Sequence, residues 1–199
     1  GIKLIIDVTQ AAGAIPINVK NFKCDALICS GYKWLGGHGG VGLAVLSNEL
    51  IKSTPLMPGW MGARNPFDIS HQELDLAEGA KRFTQSTMSY ISLKGLEVSI
   101  QEILKIGVDN IDNHAQRLKR YFLSHLNKSN FQTFHQKNIP TSSHIVSIFD
   151  PKKNISRVAK LLSKNNIFCS IRNGYLRVSF AHYNNQSDID KLLSILKED

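Results

Sequence analysis

Ala26-Leu-Ile-Cys-Ser30-Gly-Tyr-Lys33-Trp-Leu-Gly-Gly-His-Gly-Gly40-Val-Gly-Leu-Ala-Val-Leu46 is the stretch on which the fold turns. It opens and closes on continuous apolar runs, Ala26–Ser30 and Val41–Leu46, as buried strands do. The turn between them, Gly36-Gly37-His38-Gly39-Gly40, is too short for a crossover helix. The strand at 41–46 should therefore pair antiparallel to the one at 26–30. The glycines resemble a phosphate-cradling loop, but the run lacks a Gly-Lys-Ser/Thr ending and precedes a strand, not a helix. They serve the turn.

Working outward, Ile2–Asp7 is another apolar run, ended by an acid, and with Ala26–Ser30 it suits a buried parallel pair. Gln10–Ala14 opens a short helix or turn, and Ile15-Pro16-Ile17 and Val19 lead back to the sheet. Residues 50–85, rich in Pro, Gly, Met and Trp, show no period and read as an irregular surface segment. Helical spacing follows from Ser89 to about Lys105 and from Val108 to about Asn127. The second helix puts Ile111, Leu118, Phe122 and Leu126 on one face and Asp112, Arg117, Lys119 and Arg120 on its solvated side. In the tail, His144–Phe149 reads as a strand and Ile155–Asn165 as a helix. Ile167–Ile171 and Tyr175–Phe180 form a hairpin around Asn173-Gly174. Ser187–Leu196 closes as a helix with Ser187 as N-cap. The division expected is 1–106 as a large α/β domain, 107–130 as a connecting helix and 131–199 as a small α+β domain.

The composition narrows the classes of function. Of 199 residues, 42% are apolar and 20% charged, as in globular proteins. No apolar run reaches the length of a membrane helix, so no membrane partner is expected. The formal charge is +8, and its excess lies in residues 101–199, with 15 Lys and Arg against 8 Asp and Glu. It is spread along amphipathic segments without interleaved aromatics, which argues against nucleic acid. Three cysteines, Cys24, Cys29 and Cys169, favour reduced thiols and a cytoplasmic setting. The histidines show no metal-ligand spacing, so no metal is expected. The chain opens without Met inside an apparent strand and shows no signal peptide; truncation at the N-terminus is the expectation.

Two residues suggest chemistry. Lys33 follows a buried strand directly, where an amine can become nucleophilic. Asp7 ends the neighbouring parallel strand, where open α/β sheets bind ligands. Singly, each has an ordinary reading: a solvated lysine, and an acid capping the next helix. Together they are the pair that pyridoxal 5'-phosphate (PLP) requires, a carboxylate for the pyridine nitrogen and an amine for the aldehyde.

The elements Asp7-Val-Thr-Gln10-Ala-Ala-Gly, Cys29-Ser-Gly-Tyr-Lys33-Trp-Leu-Gly-Gly and Gly40-Val-Gly-Leu carry a more specific likeness. With Arg82-Phe-Thr-Gln-Ser-Thr87 and Leu176-Arg177-Val-Ser-Phe-Ala-His-Tyr-Asn184, they make the chain resemble the class V aminotransferase family of fold-type I PLP enzymes. That family includes cysteine desulfurases, kynureninases and isopenicillin N epimerase-like proteins. The resemblance implies an α/β fold: the C-terminal part of the PLP-binding large domain, mostly parallel sheet with helices, plus the small α+β domain. It implies a homodimer acting on a small amino acid, with Lys33 holding PLP as a Schiff base and shuttling a proton. Asp7 would pair with the pyridine nitrogen and Gln10 with the phenolic oxygen. Ser30 would contact the phosphate, as would Tyr32, which stands where many members have His. Thr87 would reach the phosphate of the other subunit, although Ser86 replaces the usual Gly. Arg177 would clamp a substrate carboxylate.

Without the resemblance, Gln10 and Ser30 read as turn residues, Thr87 as a helix cap and Arg177 as a surface ion-pair partner. Desulfurases present a nucleophilic cysteine on a loop before that arginine. Here Cys169 lies inside an apolar run, and a structural thiol is the better reading. Transamination, lyase and epimerase chemistry share the same cofactor, and a remnant of the fold without activity is a further alternative.

Overall fold

The computed structural model describes residues 1–68, 70, 73, 75–126, 130–134 and 143–198. The chain divides into two compact units, Gly1–Gly107 and Val108–Asp199.

In the first unit, β1 (Ile5–Asp7), β2 (Ala26–Ser30) and β3 (Gly42–Leu46) form a sheet in that order. β1 runs parallel to β2, and β3 antiparallel to it. The eleven residues between Ser30 and Gly42 leave no room for a full crossover helix, which favours the antiparallel return. The register sets Asp7 beside Ile28 and Ile28 beside Ala44. Burial differs from expectation. Only β2 carries fully buried side chains (Ala26, Leu27 and Cys29), while Ile5 of β1 and Val45 of β3 are exposed. Among the described residues β1 and β3 are the outer strands of this sheet, and exposure reaches the central strand too, at Ile28.

Ser47 starts α1 (Asn48–Lys52) by accepting the Leu50 N–H on its hydroxyl. The following segment is irregular, with single 3-10 turns at Trp60–Gly62 and Gly79–Phe83. Helix α2 (Tyr90–Ile106) is capped by Ser89, whose hydroxyl accepts from Ser92, and ends at Gly107. Its buried Leu96 lies against Gly31 and Gly37, and its Ser99 hydroxyl donates to the Gly36 carbonyl at 2.9 Å. One helix thus clamps the turn that leaves β2.

The second unit contains α3 (Val108–Leu126), β4 (Gln132–Thr133), β5 (Ile145–Phe149), α4 (Ile155–Lys164), β6 (Ser170–Arg172), β7 (Tyr175–Ser179) and α5 (Gln186–Glu198). Its sheet has the order β4-β5-β7-β6, with each neighbouring pair antiparallel. Asn173 (φ 49°) and Gly174 (φ 79°) make the two-residue hairpin turn between β6 and β7. Alternation places Val146, Ile148, Leu176 and Val178 on the buried face. They pack there with Leu118, Phe122 and Leu126 of α3, Val158 and Leu162 of α4, and the apolar stripe of α5. Each such side chain contributes about 1.5–3 kcal/mol of burial. The helix read as a connector therefore packs as part of this core.

Two local readings need correction. Lys119 is buried, not solvated: it stands in helical line with the buried Ala115, Phe122 and Leu126, and its ammonium donates to the Ser143 carbonyl at 2.9 Å. Burial pushes its pKa below the ordinary lysine value. The cap of α5 is Asn185, not Ser187. The Asn185 side-chain oxygen accepts the Ser187 and Asp188 N–H groups, and the Ser187 hydroxyl donates to the same oxygen. A cap two residues earlier reaches the first free amides of the helix.

Candidate active site

The site grows from the carboxyl ends of the parallel strands β1 and β2. Asp7 ends β1, and the chain folds back so that the Thr9 N–H donates to Asp7 Oδ1 at 2.8 Å. The buried Thr9 hydroxyl accepts the Ser30 N–H at 2.9 Å, tying the end of β1 to the end of β2. Hydrogen bonds from the Thr9 hydroxyl and N–H hold the Asp7 carboxyl below its ordinary pKa. Burial opposes this weakly, and the Lys33 charge adds a smaller contribution. Asp7 is thus a stable anion at neutral pH.

A cavity of about 470 Å³ opens here, lined by Asp7, Thr9, Ile28, Ser30, Tyr32 and the Gly40–Gly42 backbone, among others. Cys29 also borders it. Burial, then the Asp7 charge, raises the Cys29 pKa, which keeps the thiol protonated. The open edge of an α/β sheet at the carboxyl ends of its strands is where such folds receive ligands.

Of the residues singled out in the sequence, Asp7, Ser30 and Tyr32 share this cavity. Lys33 is exposed, in the turn just after β2, with its ammonium 5.7 Å from the centre of the Tyr32 ring. That turn is pinned by Gly36 N–H to the Lys33 carbonyl (2.9 Å) and Gly37 N–H to the Gly31 carbonyl (2.8 Å). Gln10 is half-buried and accepts the Trp34 indole N–H on Oε1 at 3.1 Å. Thr87 does not cap α2. It lines a second cavity of about 420 Å³ that shares Gly40, Val41 and Gly42 with the first.

Arg177 belongs to the second unit. It sits on β7 between Ser147 of β5 and Ser170 of β6, in a polar row across three strands. It lines a separate cavity of about 650 Å³ with Cys169, Ser170, Tyr183 and Asp188, among others. Burial pushes the Cys169 thiol up to about 11. His144 is buried in the same unit and its pKa is pushed down to about 4. Burial is the main cause; Asp112 opposes it, and Arg177 and Lys119 add to it.

Two contributors escaped the sequence reading. Thr9 joins Asp7 to Ser30, and Trp34 holds Gln10. The first had a signal: an Asp with a hydroxyl residue two positions on is a side-chain-to-backbone turn. The second had none, because its partner lies 24 positions away. Among the described residues, no three His, Cys, Asp or Glu side chains are grouped to hold a metal, and no helix is long and apolar enough to cross a membrane.

Comparison with known proteins agrees with this architecture. A probable cysteine desulfurase of Pyrococcus abyssi is 26% identical over 211 residues, covering all of this chain and 52% of its own length. An uncharacterized aminotransferase of Bacillus subtilis is 27% identical, covering 95% of this chain and 49% of its own. The apo structure of a cysteine desulfurase from Thermococcus onnurineus NA1 superposes with a TM-score of 0.86 at 25% identity. It covers 98% of this chain and 52% of that one. The cystine C–S lyase C-DES, solved with its product cysteine persulfide, shares the fold (TM-score 0.83, 20% identity, 95% and 50% coverage). The chain spans about half the length of these relatives. Its α/β architecture is that of fold-type I enzymes. The family model of aminotransferase class-V matches residues 1–192, and the chain belongs to that family.

Proposed function

We propose that this chain carries part of a PLP site of a class V aminotransferase-like enzyme acting on a small amino acid. The supporting observation is the cavity at the ends of β1 and β2, bordered by Asp7, held as an anion, and by Ser30 and Tyr32, next to the turn that carries Lys33. The donor set fits the cofactor: a fixed carboxylate for a pyridinium, hydroxyls for a phosphate, and an exposed amine for an aldehyde. One solved relative of this fold has glycine covalently linked to a PLP cofactor.

When bound, PLP supplies an electron sink for charge developing at the substrate α-carbon. The rest falls to the chain. Asp7, held anionic by Thr9, keeps a proton on the pyridine nitrogen. Gln10 donates to the phenolic oxygen. Ser30 and Tyr32 donate to the phosphate; a tyrosine there adds a hydrogen bond but no charge. Lys33 would hold the cofactor through its amine, and that amine is the group that would move a proton at the substrate α-carbon. Arg177 takes the substrate carboxylate in a two-pronged bond. Thr87 serves the phosphate site of a partner subunit in a homodimer.

A lyase or epimerase of the same family is the second reading, favoured by relatives named as cysteine desulfurases and a C–S lyase. Chemistry that uses Cys169 as a thiolate is disfavoured, since burial keeps that thiol protonated far above neutral pH.

The test is borohydride reduction after incubation with PLP, followed by peptide mass mapping. A pyridoxyl adduct on Lys33, absent from Lys33→Ala, supports the reading. No adduct at Lys33 in this chain, nor in a longer chain that includes its upstream region, would leave a fold without this chemistry.

A further inference from the structure

Gln10 and Trp34 lie on different turns. Gln10 follows β1, three residues after Asp7; Trp34 follows β2, directly after Lys33. Their side chains meet, with the indole N–H 3.1 Å from the Gln10 amide. An amide has an accepting oxygen and a donating nitrogen, and the two are easily exchanged by a half-turn. An indole N–H can only donate. The amide atom facing Trp34 must therefore be the oxygen, and the NH₂ must point elsewhere.

Trp34 is itself held. Its carbonyl oxygen lies 2.6 Å from where a Cβ on Gly13 would stand, so the two turns are in direct contact at a second point. Leu35 beside it is buried, and the Lys33 carbonyl is tied to Gly36.

We propose that Trp34 is a positioning residue that fixes the sense of the Gln10 amide, so that Gln10 presents a donor to the cofactor's phenolic oxygen. This rests on the PLP reading above. A reversed amide would set a carbonyl oxygen against an oxygen carrying negative charge. Trp34 forbids that arrangement, while its bond ties the turn that follows Asp7 to the turn that carries Lys33.

Two measurements test it. In the protein without cofactor, the sequence contains only two tryptophans, Trp34 and Trp60. Gln10→Leu should move the Trp34 indole N–H resonance and leave that of Trp60 in place. A Trp34 resonance that does not move overturns the contact, and this variant keeps Trp34 intact.

In the protein loaded with PLP, the pH midpoint of the absorbance of the Lys33-bound cofactor is followed. A donor on the phenolic oxygen stabilises its negative charge and loosens its hold on the neighbouring proton. Trp34→Phe, which keeps an aromatic ring but removes the N–H, should raise the midpoint by about one pH unit. In a Gln10→Leu background the same change should add nothing. A shift of equal size in both backgrounds, or none in either, overturns the role of Trp34 while Lys33 remains labelled. Absence of the Lys33 adduct in the unmutated protein instead removes the cofactor reading on which the role rests.

Discussion

The carbonyl oxygen of Trp34 fills the space that a side chain on Gly13 would need. Gly13 also has φ +87°, a backbone state that side chains rarely adopt. Gly13→Ala therefore meets both a clash and a strained backbone. It should lower the unfolding free energy by about 1–3 kcal/mol in urea titrations. A cost below about 0.5 kcal/mol would show that the two turns separate without resistance.

Thr9→Val keeps the shape of the side chain but removes the hydroxyl that supports Asp7 and receives the Ser30 N–H. The Asp7 pKa should rise toward the ordinary value, read by NMR titration of its carboxylate. The sign for stability follows. A carboxyl held low in the folded state stabilises above its unfolded pKa, and this is lost as pH falls through the folded one. The variant should thus lose less stability on acidification.

Leu96 is the contact by which α2 holds the turn bearing Lys33. Leu96→Ala should cost about 2–5 kcal/mol, depending on how far the site collapses. It should also slow labelling of Lys33 by PLP and borohydride, although residue 96 is not proposed to touch the cofactor. Unchanged labelling would show that the turn holds its shape without the helix.

His144 sets a pH window for the second unit. Its folded pKa of about 4 lies below the ordinary 6.5. As pH falls from 6.5 toward 4, the unfolded chain takes up a proton that the folded one refuses. Stability should therefore decline across that window by up to about 3 kcal/mol and level off below it. His144→Gln should flatten the decline between pH 6.5 and 4 in thermal unfolding of the same chain. An equally steep profile in the variant would assign the loss to other groups.

Most of the strand order was legible because its causes are local. The link from Ser30 to Gly42, without room for a full crossover helix, favours an antiparallel return, and Asn173-Gly174 dictates a hairpin. The helical faces of α3 were legible for Ile111, Leu118, Phe122 and Leu126, which the core requires. Lys119 was not, since a long stem can lie on the apolar face while its charge finds a carbonyl such as that of Ser143, 24 residues away. Within the site, Asp7 stood out by its place at a strand end, whereas Ser30 and Tyr32 were named only through the family resemblance; all three border one cavity. The Thr9–Ser30 and Trp34–Gln10 bonds depend on how two loops approach one another, which no single stretch encodes.

The hairpin turn at Asn173-Gly174 also acts as a parity device for Arg177. Side chains along β7 alternate, with Leu176 and Val178 on the core and Arg177 in the row of Ser147 and Ser170. Adding or removing a single residue between the turn and Arg177 would trade the guanidinium for a core position, whereas a change of two would return it to its own face. The side of the sheet that bears the arginine is thus decided by counting residues from the turn.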